Sequence, residues 1–503
     1  SLYFNESRNA GFRKESLMSQ PNILIIHCDQ LRFDCLGFNG NPDIQTPHLD
    51  CLAKDSVNYN NHYTVSPICT PSRYSFWSSL YVHRHGAWDN HATLPGGYPT
   101  FPKVLRENGY RTAAVGKMHM NPVYQDIGFS HMELAEQNGT GRFQDDYHRW
   151  LMEQGKIDRF DLHHQSHLFR EKPTDHLYDM CQCAQPDLAL EDYSTEWITR
   201  RAKEQIECWE DGTPSVLMVG YINPHHPFDP PAPYSTMYDP DRLTLLPGYT
   251  QEPPAHDVKA NGTAMKYELL TQRDIRLMTA AYYGMISEID RGVGELLALL
   301  RQKGLYENTM IVFTGDHGEY LGFHHMMLKC NYLYDPLAKI PLLIKYPACE
   351  HGGTVNSELT ENIDVAPTVL KVCGCEVPDT MQGKDLAGAE KRAFVFSEGQ
   401  YGTQTKPCIG YMLRTDKFKL LVKGSMECAM LFDLEKDPFE LQNVVNVPEY
   451  QEVYRKMKEQ LSDFVLFQSY GKVYSNQNEP QIRSQSELDA QAEQMKAFIQ
   501  SVW

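Results

Sequence analysis

Four short apolar runs in this chain each lead into residues that carry a charge or a lone pair. Asn22–Cys28 runs into Asp29 and Thr112–Gly116 into Lys117, while Ser215–Gly220 precedes His225 and Met310–Thr314 precedes Asp316. Continuous apolar runs of this length, without alternation, are the pattern of strands buried on both faces. Helical segments lie between them. Phe101–Asn108 stops at Gly109, a residue suited to the left-handed position after a helix end, and Arg273–Leu300 carries apolar residues at helical spacing and ends near Gly304. Strands alternating with helices predict an α/β fold with a large, mainly parallel sheet flanked by helices on both faces. In open sheets of this kind ligands bind beyond the carboxyl ends of the strands, so the four polar clusters can converge on one site.

After about Phe394 the pattern changes. Tyr411–Val422 and Ala429–Leu434 read as hairpin strands separated by Gly424 and Ser425, and Glu449–Phe467 reads as an amphipathic helix. The expected organisation is an N-terminal extension or expression remnant over 1–20, a main domain over 21–394, and a smaller C-terminal α+β domain with a short antiparallel sheet over 395–468. A tail over 469–503, weakly helical from Ser486 to Ile499, packs on a neighbouring subunit in a homo-oligomer or stays partly mobile.

Lys and Arg number 47 against 65 Asp and Glu, a formal charge of −18, so the average surface repels nucleic acid and anionic membranes. An anionic substrate must therefore be drawn in by a local cluster of cations. No apolar run is long enough to span a bilayer. Residues 1–20 lack an apolar signal core, and Met18 is a candidate native start. The thirteen cysteines are scattered; Cys181/Cys183 and Cys373/Cys375 have one-residue gaps and match no zinc pattern, and Cys28 and Cys330 read as packing thiols. This usage favours a reducing compartment and a cytoplasmic location. A periplasmic or secreted location stays open if a signal peptide has been removed.

The segment Pro67-Ile68-Cys69-Thr70-Pro71-Ser72-Arg73 is rare by chance. It stands in order with other blocks: Asp29-Gln30; Thr46-Pro47-His48-Leu49-Asp50; Gly109-Tyr110-Arg111-Thr112 with Gly116-Lys117-Met118-His119; Pro224-His225-His226-Pro227-Phe228; Gly315-Asp316-His317-Gly318-Glu319 with Lys329; and Leu431–Pro438. Together, over Pro21 to Asn446, these resemble the type I sulfatases of the alkaline-phosphatase-like superfamily. In that family the motif cysteine is oxidised by a maturation enzyme, a formylglycine-generating or anaerobic sulfatase-maturing enzyme, to formylglycine.

The resemblance implies a set of roles. Cys69 supplies the aldehyde hydrate that attacks sulfur. Asp29, Gln30, Asp316, His317 and the residue at 69 hold one divalent metal, Ca²⁺ first and Mg²⁺ or Mn²⁺ next. Arg73 holds the hydrate and offsets the carboxylates, and Lys117 and Lys329 clamp the sulfate. His225 or Lys329 protonates the leaving alcohol, and His119 deprotonates the second hydroxyl. The substrate is a small sulfated molecule, a carbohydrate or aryl sulfate, with Asn90, His91, His226 and Asp229 as candidate substrate contacts.

The chain also departs from the family. Trp77-Ser78-Ser79 replaces the usual Leu-Thr-Gly, Gln30 stands where a second aspartate is common, and His317 stands where some members have Asn. The competing reading is a phosphonate monoester or phosphodiester hydrolase of the same superfamily. A non-catalytic anion-binding protein in which Cys69 stays a thiol is a third. Phosphatase and pyrophosphatase relatives place Ser or Thr at the nucleophile. Tyrosine-phosphatase chemistry needs a longer Cys-to-Arg spacing than the three residues here. The polar stretch Asp161 to Arg170, with His163, His164 and His167, reads as a lid loop.

Overall fold

The computed structural model describes residues 20–137, 141–159, 162, 183, 185–210, 212–254, 257, 271–329, 333–403, 406–468 and 481–502. The stretch read as a lid loop and Cys330 lie outside them, apart from Leu162.

The main sheet has eight strands: β1 (Asn22–Cys28), β2 (Val57–Tyr59), β4 (Arg111–Gly116), β5 (His131–Leu134), β6 (Ser215–Tyr221), β7 (Thr309–Gly315), β8 (Leu342–Lys345) and β9 (Thr354–Asn356), in the order β5-β4-β6-β1-β7-β8-β2-β9. The pairs from β5 to β7 are parallel, β8 is antiparallel to both neighbours, and β9 runs parallel to β2. The short β3 (His62–Tyr63) and β10 (Thr360–Glu361) pair separately.

Alternation along β1 explains why the sheet is covered on both faces. Leu24 and Ile26 face a core built with the long helix Gln272–Gln302 and the helix Ser194–Glu207. Ile23 and Ile25 face the opposite core, shared with Phe76, Trp77, Phe101 and Val369. The long helix begins with a capping box in which Thr271 and Asp274 satisfy each other's backbone N–H groups. No helix among the described residues is long and apolar enough to cross a membrane.

The second sheet is antiparallel, in the order β11 (Val395–Thr403), β12 (Lys406–Arg414), β13 (Phe418–Lys423), β14 (Ser425–Asp433). Here the structure corrects the sequence reading. Tyr411–Val422 is not one strand, because Thr415 folds the chain back: its N–H donates to the Phe418 carbonyl and its hydroxyl accepts from the Phe418 N–H. One face of this sheet packs under the helix Gln451–Gln468 through Leu420, Leu431, Leu461 and Phe464. The other meets Tyr320, Phe323 and Tyr334 of the segment that follows β7.

The tail helix Gln485–Val502 lies on its own chain. Ala492, Met495 and Ile499 pack with Phe143 and Leu162, so the apolar side that the sequence reading gave to a neighbouring subunit is covered within the molecule.

Candidate active site

Cys69 opens a ten-residue helix, Cys69–Ser78, in which every residue is buried. Trp77 is seated edge-on against Phe76 and Phe129 beneath it. The helix ends without the family's glycine: Ser79 itself takes the left-handed conformation, with φ 58°. Its hydroxyl donates to the Ile363 carbonyl (2.7 Å) and accepts from the Gly383 N–H (3.0 Å). These bonds offset the cost of placing a non-glycine residue there, roughly 1–2 kcal/mol.

The four strand ends converge on this helix. Lys117 follows β4, where two glycines permit a close approach: a Cβ on Gly116 would lie 2.1 Å from the Gly220 carbonyl oxygen, and one on Gly220 would lie 2.2 Å from that of Lys117. Lys117 Nζ then reaches Asp29 Oδ2 at 2.7 Å. Arg73, one turn after Cys69, spends its guanidinium on Asp316 Oδ2 (3.0 Å), the Lys117 carbonyl (2.9 Å) and Asp29 Oδ2 (3.2 Å). These bonds offset both carboxylates, one of the two uses expected of Arg73, and also fix the loop at Lys117.

Asp29, Cys69, Asp316 and His317 are all buried, with donor atoms within 4.8 Å of one another. Burial alone would raise the Asp29 carboxyl, but the charges of Lys117 and Arg73 outweigh it and hold it well below the usual range. Two further observations fit a cation. Gln30 donates its amide N–H to Glu319 Oε2, which leaves Gln30 Oε1 buried with no hydrogen-bond partner. His317 places Nδ1 2.9 Å from the Gly318 carbonyl, which fixes the proton there and leaves the Nε2 lone pair facing Cys69 Sγ at 3.3 Å. Two carboxylates, an amide oxygen and an imidazole suit Ca²⁺, Mg²⁺ or Mn²⁺, the imidazole favouring the softer ion.

Around the thiol stand the other predicted residues. Lys329 Nζ is 2.9 Å from Cys69 Sγ and 3.1 Å from His225 Nε2. Burial works against its charge, but Cys69 and Asp29 outweigh that and raise its pKa. Burial, then Asp29, pushes the Cys69 thiol up to about 11, so the unmodified residue is a neutral thiol near pH 7. His225 is held well below the ordinary imidazole value by burial and then Lys329, and His119 by burial and then Lys117. His119 Nδ1 is buried and unpartnered.

The four candidate substrate contacts divide. His226 stacks on His225 at 4.1 Å and lies 3.4 Å from the Gln30 amide, and it borders the centre. Asn90 accepts from the Thr70 N–H at 3.1 Å, tying it to the nucleophile helix. His91 is exposed, and buried Asp229 accepts from the Tyr193 hydroxyl at 2.8 Å.

The sequence reading missed Glu136 and Gln137, which follow β5. Glu136 Oε1 accepts from the N–H groups of Met118 (3.1 Å) and His119 (2.8 Å), and Gln137 Oε1 lies 3.4 Å from Lys117 Nζ. The segment Met132-Glu133-Leu134-Ala135 before them is broken by Glu133, so it lacks the continuous apolar signature of the other four strands and gave only a weak signal. Glu319 was read only as part of its block; it accepts from Gln30 and from the Leu321 and Leu328 N–H groups, and so ties the cation site to the loop that carries Lys329.

Residues 21–375 match the sulfatase family model. The chain belongs to the sulfatase family. This sulfatase also matches, over 322–466, the model described as N-sulphoglucosamine sulphohydrolase, C-terminal. It is 29% identical to an arylsulfatase of Clostridium perfringens, across 86% of this chain and 92% of the relative. It is 27% identical to an ulvan-active sulfatase of Formosa agariphila, across 88% of this chain and 81% of the relative. Its fold resembles that of a phosphonate monoester hydrolase of Agrobacterium radiobacter, with a TM-score of 0.75, 23% identity, and coverage of 90% and 96% of the two chains.

Proposed function

We propose that this sulfatase cleaves a sulfate monoester to an alcohol and inorganic sulfate, using the hydrate of a formylglycine made from Cys69. The observation that carries the reading is the position of residue 69, buried within reach of Lys329, His317 and Asp29. The Cys69 thiol stands in for one hydroxyl of that hydrate. As a neutral thiol it is a poor nucleophile, which supports its conversion by a maturation enzyme.

A divalent cation held by Asp29, Gln30, Asp316 and His317 would polarise the sulfate and lower the pKa of the hydrate hydroxyl. The chain's own residues do the rest. Lys117 and Lys329 clamp sulfate oxygens, and Arg73 keeps the carboxylates in place. One hydrate oxygen bonds to sulfur as the bond from sulfur to the departing oxygen breaks. The proton for that oxygen comes from the Lys329–His225 pair: Lys329 Nζ donates to His225 Nε2, and His225 Nδ1 is turned to the His226 carbonyl at 2.7 Å. His119, neutral and with a free ring nitrogen, then takes the proton of the second hydroxyl. The carbonyl re-forms, sulfate leaves with the former hydrate oxygen, and water restores the hydrate.

A second reading, a phosphonate monoester or phosphodiester hydrolase of the same superfamily, rests on the pairs Asp29-Gln30 and Asp316-His317, in which Gln30 and His317 depart from residues common in the family. Catalytic efficiency on nitrophenyl sulfate against a nitrophenyl phosphonate separates the two. The proposal expects the sulfate to be preferred, and a preference for the phosphonate reverses it. Among sulfates, carbohydrate esters are the substrate class we favour, since His226, half-buried beside His225, presents a polar ring at the border of the centre.

A further inference from the structure

The helix Gln485–Val502 lies beyond both matched family regions, 21–375 and 322–466, yet it is joined to the catalytic histidine loop by a short buried path. Its apolar side is seated on Phe143 and Leu162. Gln491 donates to the Asp145 carbonyl at 2.8 Å, and Arg483, just before the helix, pairs with Asp146. Asp145 is fully buried. Its Oδ2 accepts from the Glu136 N–H at 2.6 Å and meets His148 Nδ1 at 2.7 Å. Glu136 in turn holds the N–H groups of Met118 and His119. His119 has φ 53°, a conformation an L residue keeps only when its surroundings fix it. Its carbonyl accepts from the Thr70 hydroxyl at 2.8 Å, next to the nucleophile.

We infer that the C-terminal helix acts through Asp145 and Glu136 as a positioning element for His119. The inference rests on the reading of His119 as the base that collapses the sulfated hydrate. Glu136 fixes the backbone that aims the imidazole, and the helix fixes the segment that holds Glu136. A displacement of about 1 Å at a reacting group can cost on the order of a hundredfold in rate.

The test uses the full-length, matured enzyme with nitrophenyl sulfate. Steady-state kinetics, intact mass under turnover and circular dichroism are measured for His119→Ala, Glu136→Ala, Glu136→Gln, Gln491→Ala and Ala492→Asp. Glu136→Ala and Ala492→Asp are expected to lower kcat by at least about tenfold, with KM within about threefold, and to accumulate sulfated enzyme as His119→Ala does. Glu136→Gln keeps an acceptor oxygen for both N–H groups and should retain activity within about threefold. Gln491→Ala leaves the apolar seat intact and should lose a few-fold; it carries the test if Ala492→Asp does not fold. Wild-type kcat in folded Glu136→Ala, or in both helix variants, overturns the inference. So does a rate loss without sulfated enzyme while His119→Ala accumulates it. Wild-type kcat in His119→Ala instead removes the base assignment, and the inference with it.

Discussion

Lys329 Nζ stands 3.1 Å from His225 Nε2, so the two residues proposed for leaving-group protonation form one hydrogen-bonded pair. Since burial and Lys329 keep His225 neutral at rest, the proton originates on the lysine. His225→Ala and Lys329→Ala should therefore both lose more activity on alkyl or sugar sulfates than on nitrophenyl sulfate, whose phenolate leaves with little help. A series of sulfate esters of graded leaving-group pKa reads this as a steeper dependence of log kcat/KM in both variants. Equal losses across the series in His225→Ala would assign the proton transfer elsewhere.

The cation site gives a second expectation. Glu319 accepts from the Gln30 amide, whose Oε1 is buried without a hydrogen-bond partner and is the proposed cation ligand. Glu319→Ala frees that amide to turn and loosens the loop leading to Lys329, so metal affinity should fall by about 10–100-fold, as loss of a partner behind a ligand typically does. Competition with a fluorescent chelator measures this without turnover. Unchanged affinity in a folded variant would show that Gln30 is not a ligand.

Ser79 offers a test of local structure. Ser79→Gly relieves the left-handed strain, but it strips the Ile363 carbonyl and the Gly383 N–H of their partner. Buried groups left unpaired cost about 1–3 kcal/mol, more than the strain returns, so the variant should be destabilised by about 1 kcal/mol. Chemical denaturation measures it. A gain in stability would mean that those two bonds contribute little.

A pH dependence follows from His85. Its Nδ1 accepts from the Ala87 N–H at 3.1 Å, so the ring proton lies on Nε2, 2.9 Å from the Ser75 hydroxyl. Burial, then His83, lowers its pKa from 6.5 to about 3. The unfolded chain then binds the extra proton first, so this group's contribution falls as pH drops from 6.5 toward 3, by up to about 1.4 kcal/mol per unit. Stability curves of the wild type and His85→Gln should converge over that window. Parallel curves, or an imidazole titrating near 6.5 by NMR, would contradict the assignment.

The strand-end clusters were legible in the sequence because buried parallel strands have a plain signature and the chemistry sits where they stop. Asp29, Lys117, His225 and Asp316 were expected at one sheet edge on this ground, and Cys69 was singled out by its motif; the structure brings them together. Glu136 and Gln137 escaped because β5 is a four-residue edge strand whose apolar signal is weak. Arg73 pairs with the two carboxylates it was expected to offset, but its tie to the Lys117 carbonyl was not legible, because sequence spacing does not show where a guanidinium points. The break between β12 and β13 falls in the polar stretch Arg414-Thr415-Asp416-Lys417, between the apolar triplets Tyr411–Leu413 and Leu420–Val422, and the run was read through it. Where the C-terminal helix would pack could not be read at all, since a sparse apolar stripe fits its own chain as well as a neighbour.

The central claim is that the residue at position 69 acts as an aldehyde hydrate. Mass analysis of the peptide containing Cys69, across preparations of differing specific activity, tests it most directly. The account predicts a species lighter by the difference between CH₂SH and CHO, in a fraction that rises in proportion to sulfatase activity. Full activity in a preparation whose residue 69 is wholly the unmodified thiol would contradict it.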